Sequence, residues 1–124
     1  MSDGTEDRRE VGQRSEALVE SYLRTLGWTI VARNVSYRCG ELDIIAHDGE
    51  QLVFVEVRSR RGAGRGRPED TVRRPKQRRL TRAAGLFLQQ PRWQTSSARF
   101  DVIGVDAGRG VVLEHHRGAF DATV

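Results

Sequence analysis

Two apolar runs rich in β-branched residues flank Asp48-Gly49, and that dipeptide is a strong short signal for a two-residue hairpin turn. Gly40 to His47 and Glu50 to Arg58 therefore read as paired strands. With a two-residue turn, the numbers of facing partners sum to a constant, so His47 faces Glu50, Asp43 faces Phe54 and Glu41 faces Glu56. Side chains alternate between faces. One face then carries Leu42, Ile44, Ala46, Val53, Val55 and Val57 and is bound for the core. The other is mixed. Near the turn Ile45, Leu52 and Phe54 suit packing under a helix, while Glu41, Asp43, Glu56 and Arg58 crowd the far end.

In this register Asp43 and Glu56 are diagonal neighbours, about 7–8 Å apart at Cα, close enough for their carboxylates to share one cation. Carboxylates gathered on a strand whose other face is core need a reason, because like charges repel and desolvation is costly. Two readings stand side by side. The acids belong to a solvated strand end and pair with arginines, or they form a divalent-metal site.

The hydrophobic pattern sets out the remaining elements. Residues 1–10 are polar and without periodicity, which predicts a frayed start. Gln13 to Leu26 reads as a helix with Leu18, Val19, Tyr22, Leu23 and Leu26 on one stripe and Gly27 at the stop. Glu16 falls on the flank of that stripe, where it is either half-exposed or leaning toward the sheet acids; Glu20 points away. Trp28 to Val35 is a strand, joined by Ser36 to Cys39 to the hairpin. Arg60 to Asp70 is a glycine- and arginine-rich loop without the strand–turn–helix context of a phosphate-binding fingerprint. It is a plain loop or a cationic flap over a phosphate backbone.

Pro75 suits a first helical turn, and Leu80, Ala83, Ala84, Phe87 and Leu88 form the apolar stripe of a second helix that ends before Pro91. Lys76 lies about 50° from the stripe centre, with Gln77 about as close on the other side, so both lean toward the sheet while Arg78 points out. A lysine in a first turn opposes the helix dipole, so a phosphate or a carboxylate should favour it there. Ala98 to Val105 and Val111 to His116 are further strands around a turn at Asp106 to Gly110. His115 and His116 point to opposite faces and cannot chelate one ion together. They read as packing or surface histidines, as does His47.

Composition changes this picture in three ways. A chain of 124 residues is one domain, with a flexible segment at 1–11, a folded body at 12–120 and a tail at 121–124. The lone cysteine, Cys39, excludes an intramolecular disulfide; with no apolar run of spanning length and no signal peptide, a cytoplasmic protein is expected. The net charge of +4 hides an asymmetry: residues 1–57 hold six basic and eleven acidic side chains, residues 58–124 fifteen and six. Eleven of the basic residues fall in 58–82. A basic stripe beside a carboxylate cluster suits a polyanion held over a metal, although it also serves as a solubilising surface. With twenty arginines and one lysine, Lys76 stands out.

The order helix, three-strand meander, helix, strand, with Asp43 and then Glu56-Val57-Arg58, resembles the PD-(D/E)XK nuclease fold of restriction endonucleases and archaeal Holliday junction resolvases. More narrowly, Gly40-Glu41-Leu42-Asp43, Val53-Phe54-Val55-Glu56-Val57-Arg58, Lys76-Gln77 and Arg99-Phe100-Asp101-Val102 are similar to the bacterial YraN family of predicted endonucleases, from about Gly12 to Phe120. The resemblance implies a restriction endonuclease-like α/β domain of order α-β-β-β-α-β-β, its central mixed sheet flanked by helices. It implies that Asp43 and Glu56 bind Mg²⁺ or Mn²⁺, with the Val57 carbonyl completing the shell and Glu16 as a supporting acid from the first helix. It also implies DNA as partner, with branched DNA among the candidates, a homodimer by analogy with two-fold resolvases, and no small-molecule cofactor. Arg60, Arg61, Arg65, Arg67, Arg73, Arg74, Gln77 and Arg78 are the candidate nucleic-acid contacts.

One position departs from the pattern. The broader fold has lysine where Arg58 stands, and arginine cannot give up a proton at a working pH. Two explanations compete: Lys76 supplies the amine from the second helix, or the chain binds nucleic acid without cutting it. The catalytic candidates are thus Asp43, Glu56, Arg58 and Lys76. The alternatives are a catalytically weak DNA-binding module that retains the cluster and a soluble domain whose partner is an acidic protein surface.

Overall fold

The computed structural model describes residues 8–60 and 72–120. Seven elements follow one another: α1 (Arg8–Thr25), β1 (Thr29–Tyr37), β2 (Gly40–His47), β3 (Leu52–Ser59), α2 (Arg74–Phe87), β4 (Ala98–Asp106) and β5 (Val111–Phe120). The strands form one mixed sheet in chain order, antiparallel throughout except where β4 runs parallel to β3. Parallel neighbours need a long crossover, and α2 supplies it. The order agrees with the sequence pattern and the mixed sheet with what the resemblance implies, and no described helix is long and apolar enough to cross a membrane.

Each helix buries its stripe on one face of the sheet. Val19 and Leu23 of α1 pack with Trp28, Ile44, Ala46, Val53, Val55, Ile103 and Val105. On the other face Leu80, Ala83, Ala84 and Phe87 of α2 cover Ile45, Leu52, Phe54, Phe100 and Val102. Helix α1 ends where Gly27 adopts φ +85°, its N–H bonding the Arg24 carbonyl (3.0 Å) while the Trp28 N–H bonds that of Leu23 (3.1 Å). That Schellman-type stop is the one expected of the glycine. The helix includes Arg8 to Gly12 and does not begin at Gln13, so the described part of the expected frayed start, from Arg8, belongs to the helix. Its early inward position is Ser15, fully buried with its Oγ 2.5 Å from Ser59 Oγ. A buried hydroxyl leaves no trace in a hydrophobic pattern. Two strands also run on past their predicted ends, β1 to Tyr37 and β5 to Phe120, which shortens the β1–β2 link to Arg38-Cys39.

The hairpin turn is longer than predicted. His47 faces Leu52, Ile45 faces Phe54 and Ile44 faces Val55, so Asp48 to Gln51 form a four-residue loop. The Asp48 carboxylate causes this, since its Oδ1 accepts the N–H groups of Glu50 and Gln51 (both 2.8 Å). These bonds, with a contribution from Arg99, hold the Asp48 carboxyl down to about 2 against the opposing effect of burial. A shift of two residues leaves every side chain on its predicted face. It changes only the partners, and one more step in this register sets Asp43 directly opposite Glu56 instead of diagonal to it.

Within β2 alternation fails at one row. Leu42, expected with Ile44 and Ala46, packs instead in the α2-side cluster. Its partner Val35 does likewise, whereas Arg33, two residues earlier, reaches the acids of α1. Between Arg33 and Val35 lies Asn34 with φ +54°, the one non-glycine residue with positive φ among those described. A left-handed residue reverses the strand's pleat at a cost of about 1–2 kcal/mol, which asparagine tolerates better than most.

A buried polar network closes the end of the sheet near the hairpin loop. Asp101, fully buried, accepts bonds from Arg99 Nε (2.9 Å) and the Gly118 N–H (3.0 Å) and pairs with His115 Nε2 (2.8 Å). Arg99 Nη1 continues to Asp48 (2.7 Å) and Gln51 (2.9 Å), and His115 Nδ1 meets Tyr22 OH (2.8 Å). His115 is therefore a packing residue, as expected from the sequence. Burial opposes the charge of Asp101, but His115, Arg99 and the Gly118 amide prevail and lower its pKa. This contribution is present above the unfolded carboxylate's pKa and is lost as pH falls toward the lower folded value. Asp101→Ala strands Arg99 and His115 and should cost about 3–5 kcal/mol, read as a fall in Tm of roughly 10 °C or more at pH 7. The deficit should shrink below pH 4; a Tm within a degree or two of the native value would contradict the network's role.

Candidate metal and nucleic-acid site

The row that breaks alternation carries Asp43. Regular pairing between β2 and β3 ends at Ile44 and Val55; beyond it the Val57 N–H donates to Asp43 Oδ2 (2.9 Å). The side chain has taken a backbone group's place in the ladder. Its carboxyl also meets that of Glu56 across the strands, and the two are hydrogen-bonded. Burial chiefly, then the Glu56 charge, the bond to Glu56 and the more distant charge of Glu16 push the Asp43 carboxyl up to about 8, against the Val57 amide. At neutral pH the pair is therefore expected to hold one proton between its two carboxyls. Sequence spacing brought these two acids to one face; the structure brings their carboxyls into contact.

Glu56 is only 4% exposed and is held by cations. Lys76 Nζ lies 2.5 Å from its Oε2, and Arg58 Nη1 lies 3.7 Å from the same oxygen. The carboxylate that a first-turn lysine required is therefore Glu56. Beneath the acids the floor is apolar, formed by Leu42, Phe54, Leu80 and Phe100. Such a floor strengthens every charge interaction above it.

Glu16 lies near enough for its charge to be felt at Asp43 but not close enough to share an ion directly. Burial raises its pKa, against the Asn34 amide and the Arg33 guanidinium, whose Nη2 is 3.8 Å away. Among the described residues no three His, Cys, Asp or Glu side chains converge closely enough to share an ion. The donor set is two carboxylates, Asp43 and Glu56; Val57 enters through its N–H. Two carboxylates are too few for a structural zinc or calcium cage, whereas Mg²⁺ typically takes one or two and fills its octahedron with waters and phosphate oxygens. The residues present fit that ion.

The basic candidates divide. Arg73, Arg74 and Arg78 are exposed around the start of α2, which has no acid in its first turn and so presents an uncompensated positive end. Gln77 turns inward, its Nε2 donating to the Val72 carbonyl (2.7 Å). Arg60 closes β3, its N–H on the Val105 carbonyl (2.7 Å). Arg61, Arg65 and Arg67 lie outside the described residues. Sequence reasoning passed over Asn34. Its signal was an asparagine, poorly suited to strands and prone to left-handed backbone, inside an otherwise apolar strand pattern.

The shared proton has a measurable consequence. The folded state holds it up to about pH 8, whereas an ordinary aspartate carboxyl loses its proton near 3.8, so stability falls as pH rises between the two. Without divalent ions, Asp43→Asn should match the native Tm near pH 4.5 and exceed it by about 5 °C near pH 8.5. Scanning fluorimetry decides this; equal melting at both pH values would contradict the shared proton.

The profile of an uncharacterised protein family, UPF0102, matches residues 15–105. A UPF0102 protein of Geotalea daltonii is 40% identical over 121 residues, covering 96% of this chain and 95% of its own length. Its counterpart in Symbiobacterium thermophilum is 46% identical over 100 residues (81% and 85%), and one in Nocardia farcinica is 40% identical over 116 (92% and 91%). Matches spanning nearly the full length of both partners extend beyond the site to both helices and all five strands, and this chain belongs to the UPF0102 family.

Proposed function

We propose that this protein is a metal-dependent DNA endonuclease of the restriction endonuclease-like type, as the likeness of its motifs to YraN-type predicted endonucleases implies. The observation that carries the reading is the contact between the Asp43 and Glu56 carboxyls beside the basic start of α2. Two buried like charges are costly unless a cation offsets them, and a phosphodiester brings oxygens to complete the shell. A bound Mg²⁺ or Mn²⁺ would acidify a water and offset charge developing on the attacked phosphate.

The chain's own residues divide the remaining work. Asp43 and Glu56 would hold the ion, for which the pair must release its proton. Lys76, released from Glu56, has a half-exposed ammonium able to follow the scissile phosphate and steady its negative charge. Arg58 adds fixed positive charge and no proton transfer. Arg73, Arg74 and Arg78 bind backbone phosphates without reading sequence. Branched DNA is the substrate the resolvase resemblance suggests.

Cleavage assays on four-way-junction and linear DNA with Mg²⁺ or Mn²⁺ test this reading. Asp43→Ala and Glu56→Ala should each lower the rate at least about 100-fold; cleavage that survives both is a contaminant's. Lys76→Ala should abolish cutting while Arg58→Lys preserves or raises it, and an active Lys76→Ala protein removes the lysine from the mechanism. Arg58 favours a second reading, a module that binds DNA without cutting. Its signature is steeply salt-dependent, metal-independent binding with no cleavage under any ion.

A further inference from the structure

Residues two apart on a strand share a face, and only a local reversal separates them. That reversal occurs here on two neighbouring strands at one row. In β1, Arg33 turns to the α1 acids Glu16 (3.8 Å) and Glu20 (2.9 Å), while Val35 packs on the α2 side. In β2, Ile44 lies on the α1 side and Leu42 on the α2 side. The pairs Arg33–Ile44 and Val35–Leu42 make Asn34 and Asp43 opposite one another in the register. The left-handed residue thus sits on the row of the site's own aspartate.

Its side chain has a specific neighbour. A regular strand would send Arg33 and Asn34 to opposite faces, yet both act on Glu16 and favour its charged form. The Glu16 charge is in turn felt at Asp43. Glu16 is too far to join Asp43 and Glu56 as a direct ligand, since no three such side chains converge among the described residues. A carboxylate at that remove orients the waters that Mg²⁺ retains. Backbone strain at such a place is expected when the surrounding structure gains function from it.

We propose that Asn34 is a positioning residue: its left-handed backbone and side-chain amide hold the Glu16 carboxylate beside the Asp43–Glu56 pair, where it acts on the divalent cation through an intervening water. This rests on the metal-site reading above.

Glycine adopts positive φ without steric cost, so Asn34→Gly removes the amide while keeping the fold. Mn²⁺ binding to the full chain, measured by isothermal titration without DNA, is the readout, with Tm alongside. Asn34→Gly and Glu16→Gln should each weaken Mn²⁺ about 10-fold. Asn34→Gly should melt no lower than native, and the double variant should bind no more weakly than either single one. Native affinity in Asn34→Gly, or weakening that multiplies in the double variant, overturns the assignment. A native chain that binds no Mn²⁺ removes the metal site and this role with it. A native chain that binds, loses binding in Asp43→Ala and keeps it in Asn34→Gly removes only the role of Asn34.

Discussion

Two carboxyl groups pressed together over an apolar floor are among the costliest arrangements a small domain can hold, and the centre of this protein is arranged around tolerating one. The charge of Asp43 is disfavoured, the Val57 N–H binds one of its oxygens, and Lys76 and Arg58 balance Glu56. Each compensation comes from a different element. The amide exists only because β2 and β3 part after Ile44 and Val55, and the lysine arrives only because α2 crosses the sheet with its first turn over Glu56. The mixed sheet follows from the same requirement, since the α2 crossover is what makes β4 parallel to β3.

The two acidic settings of the molecule answer opposite needs. Asp101 is fully buried with a full set of partners in Arg99, His115 and the Gly118 amide, and its charge is favoured. It ties β4, β5, α1 and the hairpin loop into one rigid end. Asp43, less deeply placed, has too few partners and a like charge beside it, and its charge is disfavoured. A structural acid is satisfied by its surroundings, whereas Asp43 is left with a deficit that an added cation would fill.

The apolar faces were legible from alternation alone. Ile44, Ala46, Val53 and Val55 lie together under α1, and Ile45, Leu52 and Phe54 lie under α2. Lys76 was legible as a residue in need of a negative partner, because helix geometry fixes its direction. The partner's identity was not, since Glu56 lies twenty residues earlier and the segment between carries no regular pattern. Leu42 was misplaced because its face depends on Asn34, and a left-handed residue cannot be read from hydrophobicity.

The sequence by itself determined the number, type and order of the elements, the faces of β3 and of β2 from Ile44 onward, and the shared side of Asp43 and Glu56, because these follow from local periodicity, which each segment carries within itself. Only the tertiary structure decided the four-residue hairpin loop, the reversal at Asn34 and the contact between the two carboxyls. Each of those is a competition among groups distant in sequence: Asp48 and Arg99 for the loop, Glu16 and Arg33 around Asn34, Val57 and Lys76 for the acids. Such competitions are settled by which partners folding brings within a few ångströms, and local periodicity carries no information about that.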